Sequence, residues 1–419
     1  MLPNVVLNQH WTGFRCTVCD RAYPVEFDSM VCPECGVDGI LDVAYDYNAI
    51  GDTINRDDPF PAGGTRDLWR FAPLLPMHPH KYHSAWSVGG TPLHAPQELR
   101  NKADLPYLHL KDDTSLPSAS LKDRASAMAI VDAVRRGINH IACASTGNAA
   151  ASLSVLAARA GISCTIFVPA SAPEAKLAQL LLHGADVIRV DGTYDDAFDL
   201  SIQEINAHNW YSRNCAYNPL LVEGKKTAAL EFILQLGLKL PDVIFVPTGD
   251  GCIVSSIAKA LRELFEICLI DKLPKVFGVQ AEGASPLTTA WQNHTNHSDM
   301  NGQEILELIP SMTPDTLADS IAVGTPRNRI KAWKRVSATG GGFVSVSDNQ
   351  ILEAIHLLAS KAGVFAEPSG AAGFAGVLKA REMGLITGEE RIVVMVTGHG
   401  LKDPGAALSK VTVPEPTSL

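Results

Sequence analysis

Short apolar runs alternate with helical stretches from residue 108 onward, and this alternation is the strongest constraint on the fold. Runs of four to six apolar residues predict buried strands, and the longer segments between them have the length and composition of helices. The predicted strands are 141–144, 164–168, 187–190, 210–214, 243–246, 276–281, 343–346 and 392–396. The predicted helices are 124–136, 148–160, 172–183, 194–207, 225–236, 253–264 and 350–362. Such alternation indicates an α/β protein whose parallel sheets are covered by helices on both faces.

Size and charge limit the classes of function. The chain has 419 residues, 46% hydrophobic and 19% charged, a length typical of roughly two to three domains. A net charge of −10 disfavours nonspecific binding to nucleic acid or to an anionic membrane. No apolar stretch approaches a membrane span, and the N-terminus lacks the pattern of a secretory signal. Nine cysteines, of which four cluster, are typical of a cytosolic protein, so we expect a cytoplasmic protein.

Two C-x2-C pairs near the N-terminus are separated by twelve residues. Each pair places two thiolates on one tight turn, and two such turns complete a tetrahedral Zn²⁺ site. The predicted ligands are Cys16, Cys19, Cys32 and Cys35. Because protein fills all four positions, this zinc should be structural, and metal binding should be coupled to folding. The alternatives are two unrelated reduced pairs, or disulfides, which the cytosolic composition disfavours.

Two segments have the composition of loops. Residues 51–85 are rich in Pro, Asp and His, and we interpret His78, His80 and His83 as part of a connecting loop rather than a metal site. Residues 283–327 are rich in Asn, Thr and Pro, and we interpret them as a mobile loop or insertion near the mouth of a site.

Lys122 stands near the start of a predicted helix, and several later strands end in turns of small hydrogen-bonding residues. The turns hold Ser145, Thr146, Gly147 and Asn148, then Thr248, Gly249, Asp250, Gly251 and Cys252, and finally Thr397. Pyridoxal 5′-phosphate (PLP) requires this combination, because a lysine forms a Schiff base with its aldehyde and backbone N–H groups hold its phosphate. Taken singly, each motif also fits a solvated helix start, an ordinary N-cap or a β-turn.

The run Lys111-Asp-Asp113, the run 117–124 around Lys122 and the run 397–404 resemble the threonine synthase family, within the PLP enzymes that resemble tryptophan synthase β and serine dehydratase. The resemblance covers residues from about 85 to 405, and many archaeal and bacterial relatives share the N-terminal ribbon. It implies two open parallel-sheet domains with the cofactor between them, plus a small zinc ribbon. The expected divisions are a ribbon over 1–50, a first domain over 51–220 with the lysine and the carboxylate loop, and a second over 221–419 with the phosphate cup.

The resemblance also implies a role for each motif. Lys122 is the Schiff-base lysine and general base, and residues 145–148 hold the substrate carboxylate, with Asn148 beside the ring oxygen of the cofactor. Residues 248–252 form the phosphate cup. Asp250 departs from the Asn or Gly of relatives, so its carboxylate must turn away from the phosphate, or the cup differs in detail. Thr397 hydrogen-bonds the pyridine nitrogen, and Glu367 lies near the cofactor.

The activity implied is conversion of O-phospho-L-homoserine and water to L-threonine and phosphate. Relatives carry an arginine for the substrate phosphate shortly before the pair Glu223-Gly224, where this chain has Leu220 and Leu221. The candidates to supply the charge instead are Lys111, Arg124, Lys225 and Lys226. The missing arginine leaves open another PLP lyase or a β-replacement enzyme, such as an amino-acid dehydratase or a cysteate-synthase-like enzyme acting on serine or phosphoserine, and also a catalytically silent relative. Because relatives are commonly dimers, the resemblance implies a homodimer.

Overall fold

The computed structural model describes residues 4–61, 66–80, 86–409 and 411–417. Its strands are β1 (Val5–Leu7), β2 (Trp11–Cys16), β3 (Ala22–Tyr23), β4 (Leu41–Tyr45), β5 (Met77–Pro79), β6 (Leu93–His94), β7 (Leu108–Asp112), β8 (His140–Ala144), β9 (Ser163–Pro169), β10 (Asp186–Val190), β11 (Tyr211–Ser212), β12 (Val243–Pro247), β13 (Lys275–Ala281), β14 (Gly342–Val346) and β15 (Ile392–Val396). Its α-helices are α1 (Tyr47–Thr53), α2 (Gln97–Ala103), α3 (Lys122–Arg135), α4 (Asn148–Ala160), α5 (Glu174–Leu182), α6 (Tyr194–His208), α7 (Leu220–Gln235), α8 (Cys252–Glu266), α9 (Pro286–Gln292), α10 (Gly302–Leu308), α11 (Arg329–Ala338), α12 (Asp348–Ala362), α13 (Pro368–Glu382) and α14 (Pro404–Leu408). Among these helices, none combines the length and apolar character needed to cross a membrane.

Two mainly parallel sheets form the body of the molecule. One has the strand order β14-β13-β12-β15-β7-β6 and the other the order β10-β9-β8-β11. Among the described strands of these two sheets, only β6 and β7 pair antiparallel. Strands β12 and β15 are buried along their whole length, as expected for parallel strands covered by helices on both faces. The predicted α/β class with two open parallel sheets is confirmed.

The carboxyl ends of the strands carry the turns that the sequence singles out. Strand β8 runs into residues 145–148, β12 into residues 248–251, and β15 into Thr397. Parallel strands present their carboxyl ends at one edge of a sheet, where ligands bind in open α/β proteins. The fold therefore places the predicted turns where a cofactor cleft is expected.

Some sequence-based boundaries are wrong. Segment 283–327 is not simply a loop, since it contains α9, α10 and a 3₁₀ turn at Asp319–Ile321. His78 lies in β5, which pairs antiparallel with β1, rather than in a loop. Residues 62–65 and 81–85, including His83, lie outside the described residues. The predicted strand over 210–214 is reduced to β11; the N–H of Arg213 still donates to the carbonyl oxygen of Ala142 on β8 at 2.8 Å, but at the next position the N–H of Ala144 is bonded by the side chain of Asn214 instead of a strand backbone.

The N-terminal ribbon is a small antiparallel sheet of order β3-β2-β4 that is attached to the body by buried polar contacts. Asp42 on β4 accepts from Lys259 at 3.2 Å and forms an ion pair with Arg335. The hydroxyl of Tyr45 donates to Glu223 at 2.7 Å. The ribbon is therefore bonded to α7, α8 and α11.

Candidate active site

Lys122 is the first residue of α3, and the loop before it fixes its position. The N–H of Leu121 donates to the carbonyl oxygen of Thr397 at 2.9 Å, and Ser120 pairs with Gly398 in an isolated bridge. These contacts join the start of α3 to the end of β15. Burial lowers the pKa of the Lys122 amine, and the positive charge of Lys225 lowers it further against an opposing effect of Cys215. The lowered pKa increases the fraction of free amine, the form that reacts with an aldehyde or removes a proton.

A cleft beside Lys122 brings together side chains from both sheets. Of the residues expected from the sequence, those lining it are Lys122, Asn148, Gly249, Asp250, Gly251, Cys252 and Thr397. Thr248 is buried behind the turn, and its hydroxyl donates to the carbonyl oxygen of Val246 at 2.9 Å. Thr146 and Gly147 line an adjoining opening that shares Asn148 and Glu367 with this cleft. Ser145 lies at the end of β8, where its hydroxyl oxygen accepts from the N–H of Gly147 at 3.2 Å.

The turn after β12 fits a phosphate group. Helix α8 begins at Cys252, and its N-cap residue Gly251 has a φ of 83°, a left-handed conformation that favours glycine. A Cβ atom at Gly251 would also lie 2.8 Å from the Cβ of Ala332. The first N–H groups of a helix have no acceptor within the helix, and the helix dipole favours an anion beside them. With the Lys122 amine in the same cleft, this donor set fits both the phosphate and the aldehyde of PLP.

Asp250 stays in the cleft rather than turning fully away. Its carboxyl oxygen accepts from the N–H of Arg327 at 3.3 Å, and it lies within 4.8 Å of the thiols of Cys215 and Cys252. Burial raises the pKa of the Asp250 carboxyl, and Cys215 raises it further. A raised pKa favours the neutral form of this carboxyl, which repels a bound phosphate less than the ionised form does.

Glu367 lines both the cleft and the adjoining opening, although the sequence placed it near the cofactor only by resemblance. Its backbone N–H donates to the carbonyl oxygen of Gly398 at 2.9 Å, and its carboxylate accepts from the amide of Asn148 at 2.7 Å. Burial raises the pKa of Glu367 to about 7. The signal in the sequence is the Pro that follows it, since a proline at the first helical position marks another strand-to-helix turn.

Cys215 and Ser320 are among the lining residues that escaped the site prediction. Cys215 follows β11, with its sulfur 3.7 Å from that of Cys252. Ser320 belongs to the 3₁₀ turn of segment 283–327, and its hydroxyl oxygen accepts from Asn148 at 3.2 Å. The only sequence signal for Ser320 was the composition of that segment, which gives no residue numbers.

Comparison with known proteins agrees with this geometry. Residues 87–398 match the model of the PALP family, described as "Pyridoxal-phosphate dependent enzyme". The threonine synthase of Methanocaldococcus jannaschii is 37% identical over 398 residues, covering 94% of this chain and 94% of that protein. The chain belongs to the threonine synthase family. The threonine synthase of Mycobacterium bovis is 39% identical over 321 residues, covering 76% of this chain and 84% of its relative.

This threonine synthase family member also has the same fold as several solved structures. A maize serine racemase superposes with a TM-score of 0.65 at 20% identity, covering 77% of this chain and 92% of its own. The processed form of threonine deaminase isoform 2 from Solanum lycopersicum gives a TM-score of 0.62 at 18% identity, covering 95% of this chain and 90% of its own. At these identities the likeness concerns the fold alone.

The ribbon of this family member holds a cluster of four thiols, Cys16, Cys19, Cys32 and Cys35, whose sulfur atoms all lie within 4.8 Å of one another. The sulfurs of Cys19 and Cys32 are 3.8 Å apart, and the N–H of Val18 donates to the sulfur of Cys16 at 3.4 Å. Cys16 and Cys32 are buried. Four converging sulfurs on two turns are a donor set that fits a tetrahedral Zn²⁺ ion.

Proposed function

We propose that this protein is a PLP-dependent threonine synthase, a lyase that converts O-phospho-L-homoserine and water to L-threonine and phosphate. The observation that carries the proposal is a cleft containing Lys122, the α8 turn and Thr397, in a chain 37% identical to a threonine synthase over 94% of both chains. Neither part suffices alone, because the fold is shared with racemases and deaminases.

Four groups of the cleft would hold the cofactor. Lys122 would bind its aldehyde carbon, the N–H groups of residues 249–252 its phosphate, and the hydroxyl of Thr397 its ring nitrogen. The amide of Asn148 would lie beside the ring oxygen. PLP, when bound, supplies an electron-withdrawing ring that stabilises negative charge on the substrate carbons. A hydroxyl partner leaves the ring nitrogen less positive than a carboxylate partner would, which suits elimination and replacement better than transamination.

The protein groups would bind the substrate and move its protons. Residues 145–148 precede α4, and N–H groups at a helix start favour the α-carboxylate. The lowered pKa of Lys122 lets its amine remove the Cα proton. Glu367, with a pKa of about 7, can exchange protons within the same cleft at neutral pH. Loss of phosphate and addition of water at Cβ would then give threonine.

We also infer that the four-cysteine cluster binds a structural zinc ion. The four thiols leave no open coordination position, so the metal would stabilise the ribbon and take no part in the reaction. The domain divisions 1–50, 51–220 and 221–419, the cytoplasmic location and the homodimer stay predictions.

The decisive experiment is to incubate the PLP-loaded protein with O-phospho-L-homoserine and to measure threonine and free phosphate together. The Lys122→Ala variant is the blank. Equal release of both products, absent from the blank, is the expected result. Release of phosphate without threonine, or no turnover, would overturn the proposal.

One observation favours a second candidate. Leu220 and Leu221, which stand where relatives carry an arginine, are buried at 2% and 0% exposure and offer no charge. A dehydratase acting on serine or threonine, or a β-replacement enzyme acting on serine, would not need that arginine, because these side chains carry no phosphate. Turnover of one of these amino acids at a higher kcat/KM than O-phospho-L-homoserine would establish this candidate instead.

A further inference from the structure

A side-chain phosphate that enters the cleft must meet positively charged donors. A phosphomonoester dianion loses its hydration on burial, and only ionised donors such as guanidinium or ammonium compensate well for that loss. Leu220 and Leu221 belong to the hydrophobic core and supply no such donor. The charge therefore has to come from elsewhere in the chain.

Three of the four cations considered from the sequence are already paired with buried carboxylates. The partners are Glu231 for Lys111 at 2.8 Å, Asp113 and Glu231 for Arg124 at 2.8 Å each, and Glu223 and Glu263 for Lys226 at 2.5 and 2.8 Å. Breaking a buried ion pair to bind a ligand is costly, so these three side chains hold the helices together and are not free for a phosphate.

Lys225 differs from its three counterparts. Its side chain is fully buried, and its amine lies 3.4 Å from the sulfur of Cys215, a residue that lines the cleft. Within the described residues, no carboxylate forms an ion pair with this amine. A Cβ atom at the preceding Gly224 would lie 2.0 Å from the carbonyl oxygen of Arg124, so glycine allows α7 to pack closely against α3. This packing brings Lys225 to the side of the cleft that Lys122 occupies.

Arg213 is a second buried cation near Cys215, and like Lys225 it lies behind the residues that line the cleft. It follows β11 and is fully buried, and its Nε donates to the hydroxyl of Ser126 at 3.0 Å, one helical turn beyond Lys122. Its two terminal nitrogens are buried and have no hydrogen-bond partner within the described residues. An unpaired buried guanidinium is costly and calls for a ligand.

The two cations act on the same neighbours. A hydrogen bond with Cys252, together with the charges of Lys225, Lys122 and Arg213, holds the pKa of the Cys215 thiol well below its usual range. Cys215 lines the cleft together with Cys252, the first residue of α8, so the two cations stand near the turn that fits the cofactor phosphate.

We propose that Arg213 and Lys225 bind the side-chain phosphate of the substrate, in place of the arginine that relatives carry near Leu221. This inference rests on the proposed function, since it presumes a phosphorylated amino acid as substrate. The cofactor offers the same phosphomonoester chemistry, so the test has to separate the two phosphates.

The test uses two pairs of ligands that each differ by the phosphate alone. For the substrate side, the holoenzyme is titrated with the phosphonate isostere of O-phospho-L-homoserine, in which a methylene replaces the ester oxygen, and with norvaline. For the cofactor side, the apoprotein is titrated with PLP and with pyridoxal. The variants are Arg213→Leu and Lys225→Met, with Arg213→Lys and Lys225→Arg to keep the charge. The matched control is Lys239→Gln, an exposed lysine beyond the end of α7.

In the wild type we expect the isostere to bind more tightly than norvaline. Each charge-removing variant should lower the affinity for the isostere by about tenfold or more. The affinities for norvaline, PLP and pyridoxal should be unchanged. The charge-keeping variants should recover part of the loss, and Lys239→Gln should behave as the wild type.

Three other results would overturn the inference, each in a different way. If the variants lower the affinity for PLP but not for pyridoxal, the two cations hold the cofactor phosphate. If the variants lower the affinity for all four ligands together, the cations have a structural role. If the variants bind the isostere as tightly as the wild type does, the assignment fails while the proposed function stands. A wild type that does not prefer the isostere over norvaline would instead contradict the proposed function.

Discussion

The side-chain amide of Asn148 donates a hydrogen bond of 2.7 Å to Oε1 of Glu367. Asn148 begins α4 after the four-stranded sheet, and Glu367 stands just before α13, which packs on the six-stranded sheet. The bond therefore joins the two halves of the cleft through side chains that both face the cofactor position. Both residues also line the adjoining opening that leads past Thr146 and Gly147.

The Glu367→Gln substitution should remove a pH dependence from the stability of the cofactor-free protein. Burial raises the pKa of Glu367 from 4.5 to about 7, so the folded state holds its proton more tightly than the unfolded state does. The stability that this carboxyl contributes is present below its unfolded pKa and is lost as the pH rises through 7. We expect the thermal midpoint of the wild type to fall by about 2–5 °C relative to Glu367→Gln between about pH 5 and pH 8.

The matched control is Glu382→Gln on the same helix, since Glu382 is exposed. This variant should keep the pH dependence of the wild type. Parallel melting curves for the wild type and Glu367→Gln across the pH range would contradict the assignment of a high pKa to Glu367.

The sequence predicts the two parallel sheets well because apolar strands and helices alternate with little ambiguity. Strand β15 and helix α4 coincide with the predicted 392–396 and 148–160. The short strands β1 and β5 escaped because each has only three residues and their pairing joins residues 70 to 74 positions apart. Helices α9 and α10 escaped because each has seven residues and stands in polar sequence, where tertiary contacts rather than local pattern decide the structure.

The sequence picks out candidate site residues in turns but not among buried side chains. Asn148 and Thr397 stand in motifs at strand ends and Lys122 stands in the run 117–124; all three line one cleft, and their roles are proposals. Arg213 has no such signal, because nothing in its neighbours in sequence distinguishes an arginine with unpaired nitrogens from one in an ion pair. The same limit applies to Lys225 and Lys226, which are adjacent in sequence. Lys226 forms an ion pair with Glu223, whereas the amine of Lys225 lies beside the sulfur of Cys215.

Substituting Cys32 by serine should release the metal from the ribbon. The purified wild type should contain about one zinc ion per chain, and Cys32→Ser should contain much less, because three thiolates no longer complete a tetrahedral site. Metal analysis after dialysis gives the result. Cys268→Ser is the control, since Cys268 is exposed and far in sequence from the four ligands. Equal zinc in Cys32→Ser and the wild type would contradict the site.

Substituting Asp42 by asparagine should loosen the ribbon from the body. Asp42 forms ion pairs with Lys259, Lys331 and Arg335, so its loss leaves three cations with less compensation. Because 27% of the Asp42 side chain is exposed, water screens part of the effect, and we expect a destabilisation of about 1–3 kcal/mol. Limited proteolysis should cut the ribbon away faster in this variant. The control is Asp38→Asn, which removes an ion pair between the half-exposed Asp38 and Arg329 and should change the cleavage rate little. Equal cleavage rates for Asp42→Asn and Asp38→Asn would contradict the anchoring role of Asp42.

Cys215 should react with iodoacetamide at neutral pH unless the cofactor is bound. A hydrogen bond with Cys252 and the nearby amines of Lys225 and Lys122 hold the pKa of the Cys215 thiol well below its usual range, so its reactive thiolate forms at a lower pH than that of an ordinary cysteine. Labelling of the apoprotein over a range of pH, followed by peptide mass spectrometry, should show that the Cys215 rate rises at a lower pH than the rate of Cys268. The exposed Cys268 is the reference within the same chain. PLP should slow labelling of Cys215 and leave Cys268 unaffected, because Cys215 lines the cleft. In Lys225→Met the rise in the Cys215 rate should move to higher pH, since a charge that favours the thiolate is gone. Wild-type rates for Cys215 and Cys268 that rise over the same pH range would show that the cations do not stabilise the thiolate.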